Sequence, residues 1–146
     1  MKRWLGIIAI IVLIFTACGD DNDEGANSIN FSDLYGKWSN PSSSTLTRIF
    51  IISESEIEHY LKFSFENEPS LQYKCGIQTI EKYTNTIGLH KNEYPEGFKV
   101  VSLIIEDGDP TDEFYSVDTS WTNYFYLNGN KDRMENSSNI YIKTVD

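Results

Sequence analysis

Glu54, Glu56 and Glu58 stand at alternate positions, so a strand through them would project all three carboxylates from one face. Two carboxylates about 5–9 Å apart are what a glycosidase needs. These three, however, share their face with Tyr60 and Lys62 and lie opposite an apolar stripe, which makes them a solvated face. His59 falls on the apolar stripe between Ile57 and Leu61, and His90 is more than a strand away. With no third ligand at zinc spacing, His59 reads as a core histidine whose hydrogen bonds are satisfied. No G-x-S-x-G elbow is present to expose a nucleophilic serine. Cys75 occupies an inward position and reads as a small, inert hydrophobe. The run Glu106 to Glu113 packs five acids into eight residues, a set of oxygens that calcium could use. Pro110 and Thr111 fall where an EF-hand would need a ligand and a glycine, so a solvated acidic loop is expected. These residues point to a protein that is not an enzyme and holds no cofactor or metal.

The whole chain has 146 residues and a net charge of −10. That length suits a single domain. The acidic balance excludes the basic footprint of a nucleic-acid binder. After Ala17 the only alanine is Ala26, although alanine is the best helix former. Isoleucine, threonine, tyrosine and phenylalanine are abundant instead, and they fit a pleated, half-buried surface. The composition predicts an all-β domain.

Three segments follow from the pattern. Met1-Lys2-Arg3 is basic, and Trp4 to Phe15 is an unbroken apolar run. Twelve such residues suit a signal peptide, whereas a spanning helix needs about 20. Phe15-Thr16-Ala17-Cys18 resembles the lipobox of bacterial lipoproteins, with Phe15 where that family usually has leucine. The resemblance implies cleavage after residue 17, lipidation of Cys18 and anchoring to a membrane of the bacterial cell envelope, with the outer membrane and exposure at the cell surface as the expected placement. Residues 18–30 then form a tether whose Asp20, Asp21, Asp23 and Glu24 keep it solvated and extended. With Cys18 acylated, Cys75 has no partner for a disulfide.

Residues 31–146 carry the folded domain. Ile57, His59, Leu61, Phe63 and Phe65 alternate with polar residues, the signature of a half-buried strand with odd positions inward. Further strands are expected over Leu46–Ser53, Leu71–Ile77, Phe98–Ile105, Trp121–Leu127 and Ile140–Val145, with weaker ones over Thr86–His90 and Glu113–Val117. Trp121, Phe125 and Leu127 share one face, and Tyr124 and Tyr126 the other. Asn128-Gly129 marks a hairpin. Eight or nine strands at this spacing form a barrel, or alternatively a β-sandwich or open meander.

Gly36-Lys37-Trp38 resembles the G-x-W motif that opens the first strand of lipocalins and lipocalin-like lipoproteins. The resemblance implies an up-and-down barrel of about eight strands, with Trp38 plugging one end and Gly36 giving the chain room to enter the sheet. The last strand has no arginine, and Lys143 is its only basic residue. The implied function is non-catalytic binding of a small hydrophobic ligand, with Phe63, Phe65, Tyr73, Trp121 and Phe125 lining the interior. The alternative is a packed core with a macromolecular partner on the outer face, where Tyr60, Tyr124 and Tyr126 would make contact.

Overall fold

A computed structural model describes residues 28–41, 43–86, 88–108 and 116–145. Their strands are β1 (Gly36–Asn40), β2 (Leu46–Ile52), β3 (Glu56–Phe63), β4 (Ser70–Thr84), β5 (Glu96–Asp107), β6 (Ser120–Leu127), β7 (Arg133–Asn136) and β8 (Asn139–Thr144). Each strand pairs antiparallel with the next, and β8 returns to β1 through Lys37↔Thr144, Trp38↔Lys143 and Ser39↔Ile142. The result is a closed, eight-stranded, up-and-down barrel. Closure leaves no sheet edge exposed to pair with another chain.

Directly paired residues share a face, so the ladders identify the inner wall. One row runs Trp38↔Phe50, Phe50↔His59 and His59↔Tyr73 around half the barrel. On the other half, Phe98 pairs with Phe125, Leu127 with Met134 and Met134 with Tyr141. Phe50, Ile52, Ile57, Cys75, Val100, Ile104, Phe125, Leu127 and Met134 are all buried in one cluster with Trp38. An eight-strand interior is just wide enough for side chains of this size to fill it.

One end is plugged. The 3₁₀ helix Phe31–Leu34 precedes β1 and buries Ile29 and Leu34 against the core. Trp38 is fully buried, and its Nε1–H donates to the Leu34 carbonyl at 2.7 Å. The Lys143 ammonium lies 5.1 Å from the centre of the Trp38 ring system and donates to the Asp33 carbonyl at 2.9 Å. Lys131 pairs with the Asp33 carboxylate at 2.8 Å. Phe31 meets Phe98 edge-on at 5.5 Å. The lysine of the last strand thus clamps both tryptophan and plug. Gly36 has φ +117°, where an L side chain is strained. A Cβ there would make only an ordinary 3.5 Å contact with Lys143, so the requirement is conformational and not spatial.

The chain departs from expectation in three places. Residues 88–94 form turns, not the weak strand expected over Thr86–His90. Asn85 organises this connection: its Nδ2 donates to the Tyr94 carbonyl and the Glu135 carboxylate, while its Oδ1 accepts from Gly88. Side-chain bonds of this kind favour turns over a sheet ladder. Strand β4 is longer than Leu71–Ile77 because its second half pairs with β5 as far as Thr84↔Glu96. The expected strand Glu113–Val117 lies mainly outside the described residues, and Ser116 and Val117 are not in a strand.

Candidate functional site

The inner face changes character along the barrel axis. Near the plug it is apolar and closed. Toward the opposite end, Asn40, Arg48, His59, Asn123 and Asn136 join it, as pairings Asn40↔Arg48, Phe50↔His59 and Val100↔Asn123 require. Leu46, Leu61, Phe63 and Trp121 at that end are only half-buried.

A band of rings divides the two regions. Phe50 stacks on His59 at 4.7 Å, His59 meets Tyr73 at 5.0 Å, and Tyr73 meets Trp121 at 6.4 Å. Along β6 the inner face continues through Asn123 to Phe125, whose ring lies 5.6 Å from Phe50. Tyr141 adds a contact to Phe50 at 5.2 Å. Two polar atoms buried on this band have no hydrogen-bond partner among the described residues: His59 Nδ1 and Asn123 Nδ2. Asn136 donates its Nδ2 to Asn123 Oδ1 at 3.5 Å and to the Tyr124 carbonyl at 3.0 Å. The amide oxygen of Asn123 is therefore engaged, while its NH₂ group is not.

Burial, joined by the smaller effect of the Arg48 charge, holds the His59 pKa down to about 4. Burial likewise pushes the Tyr141 hydroxyl up to about 12, with Arg48 acting in opposition. One guanidinium thus acts on both rings.

The sequence-based candidates separate on this frame. Tyr73 and Trp121 belong to the band. Phe63 is half-buried at the end opposite the plug and stacks on Phe65 at 5.5 Å. Phe65 does not line the interior: β3 ends at Phe63, and Phe65 sits in the following turn, 82% exposed. Phe125 is fully buried against Phe50, so it fills the core. His59 is buried as expected, yet its Nδ1 is unsatisfied, contrary to the expectation of a fully bonded core histidine. Cys75 is buried, and burial pushes its thiol pKa up, away from the reactive thiolate. Arg48, Asn123 and Asn136 were not singled out from the sequence. Their parity with Phe50, Phe125 and Met134 is the signal that could have found them.

On the outer face, Lys74 bridges Glu56 at 2.9 Å and Glu58 at 3.5 Å, and the Tyr60 hydroxyl donates to Glu58 at 2.7 Å. The carboxylate row is a solvated, ion-paired surface. Tyr124 is exposed, but Tyr126 is buried, contrary to its expected exposure. Tyr83 lies over both tyrosines at 5.1 and 6.4 Å. Beneath them Gly97 brings the backbone close, since a Cβ there would collide with the Phe125 carbonyl and the Tyr126 Cα.

Cys18 and residues 109–113 of the acidic run lie outside the described residues. Among the described residues, no group of three or more His, Cys, Asp or Glu side chains could hold a metal ion. An open depression of about 410 Å³ lies on the outer wall at Asn40, Pro41, Arg133, Ser138, Asn139, Ile140 and Ile142. Comparison with protein-family models, curated proteins and solved structures returns no match to this chain.

Proposed function

We propose that this chain is a non-catalytic binding barrel, held at the outer membrane of a bacterial envelope by a lipid on Cys18. It takes a small ligand with apolar surface through the end opposite Trp38. The observation that carries this reading is the gradient along the interior. Inner residues are sealed at the plug and only half-buried at Leu46, Leu61, Phe63 and Trp121. The filled lower half limits the ligand to the upper part of the barrel.

A fluorescent fatty-acid-like probe tests the reading. The wild-type chain is expected to bind it, and Phe63→Ala to change its affinity with little loss of stability. Phe125→Ala, deep in the core, is expected to cost about 3–5 kcal/mol in a denaturant titration. A wild-type chain that ignores the probe would favour the outer face instead. The observation behind that second reading is the pair of exposed rings Tyr83 and Tyr124, 5.1 Å apart.

Anchoring has its own test. A lipid-modified cysteine supplies more than the two hydrophobic signals needed for stable attachment. Cys18→Ser is expected to move the protein from the detergent to the aqueous phase, or to leave its leader uncleaved. Processed wild type and variant that partition alike would show that Cys18 carries no lipid.

A further inference from the structure

The chain enters the barrel beside the plug, and that end differs from the other. Ser28 is fastened there: its carbonyl accepts from the Lys131 ammonium at 3.0 Å and its hydroxyl from the Lys82 ammonium at 3.4 Å. Residues 53–55, 85–95 and 128–132 connect strands at this same end, as the pairings Gly36↔Ile52, Thr84↔Glu96 and Glu96↔Leu127 require. Residues 64–69 and the connection after Asp107 lie at the open end, where Leu46 pairs with Phe63 and Tyr73 with Asp107. Cys18 stands ten residues before Ser28, and ten residues of chain reach at most about 35 Å. A lipid on Cys18 therefore holds the plug end within that distance of the bilayer.

Two further features distinguish the plug end. The first is apolar exposure: Leu89 in the β4–β5 connection is 81% exposed, and Val145 just after β8 is 92% exposed. Leucine two residues from Lys91 suits the boundary of headgroups and acyl chains. Apolar side chains sink about 5–10 Å into that boundary, while lysine keeps its charge among the phosphates. The second is charge. Lys82, Lys91, Lys131, Arg133 and Lys143 balance the acids around the plug end. At the open end Glu66, Glu68, Glu106, Asp107 and Asp118 outnumber Arg48 and Lys62. An anionic lipid surface repels such a mouth more strongly than it repels the plug.

We propose that the plug end is a membrane-contact surface, with Leu89 entering the headgroup region of an anionic bilayer and the mouth of the barrel facing away. The inference rests on the lipid-anchor reading and adds which face of the barrel meets the membrane. A ligand then reaches the mouth from water and not from the bilayer.

The test uses the processed full chain in vesicles of phosphatidylcholine and phosphatidylglycerol in equal parts. A fluorophore is attached singly through Leu89→Cys, Phe65→Cys or Tyr124→Cys, three exposed positions at the plug end, the open end and the wall. Cys75 is buried and does not compete for the label. Nitroxide-bearing lipids quench whichever label touches the bilayer. Quenching is expected to be severalfold stronger at position 89 than at 65 or 124. Strongest quenching at position 65 would put the mouth on the membrane, and at position 124 the wall; either overturns the proposal. Weak quenching at all three, in protein that floats with the vesicles, would overturn it and leave the lipid anchor standing. Protein that does not float with the vesicles would overturn the anchor reading and the proposal with it.

Discussion

Replacing Trp38 with alanine is expected to destabilise the domain by about 3–5 kcal/mol, the range for truncating a large buried aromatic. Trp38 is fully buried, and it is the point where three parts of the chain meet. Its indole N–H holds the Leu34 carbonyl, its ring faces the Lys143 ammonium, and its backbone sits in ladders to both β2 and β8. The variant would therefore lose a core side chain and unseat the plug. Equilibrium denaturation read by circular dichroism measures the effect, and an unchanged midpoint would contradict the role assigned here. Trp38→Phe keeps the ring but not the donor, so its loss should be smaller.

Acidification is expected to destabilise the barrel through His59. In the fold its imidazole titrates near 4, against an ordinary 6.5 in the unfolded chain. Between those values the unfolded state binds the extra proton, so stability falls as pH drops through that window and is fully present above it. The difference in proton affinity corresponds to about 3 kcal/mol. Carboxylates add their own slope at the acidic end, so the comparison is made with His59→Phe, which fills the stack between Phe50 and Tyr73 without titrating. The stability gap between wild type and variant should shift by about 3 kcal/mol in the variant's favour between pH 7.5 and pH 4. A gap that stays constant with pH would mean that His59 titrates normally.

Much of this barrel could be read along the chain. Alternation from Ile57 to Phe63 set the inward and outward faces of β3, because side chains on a strand project with a period of two. The same parity placed Cys75 and Phe125 inside and Glu56, Glu58 and Tyr60 on the outer face. Gly36 and Trp38 marked the first strand. The motif was legible because a positive φ and a buried indole each demand a particular residue type. Reading failed where a pattern ran past its element. Phe65 keeps the parity of β3, but the strand stops at Phe63 and the parity loses its meaning.

The sequence by itself determined the strand class, the approximate strand number and the face of most side chains, since these depend on residue type and spacing over a few neighbours. Only the tertiary structure decided the rest. Closure is a pairing of β1 with β8, more than a hundred residues apart, and no local pattern records it. The same closure carries Lys143, the one basic residue of the last strand, to Trp38 and gives it its place on the plug. It also brings Asn123 and His59 onto one ring-lined band, from strands whose own patterns show each of them merely as a polar residue on an apolar face. Whether a buried polar atom finds a partner depends on side chains arriving from distant segments, and that is settled in three dimensions.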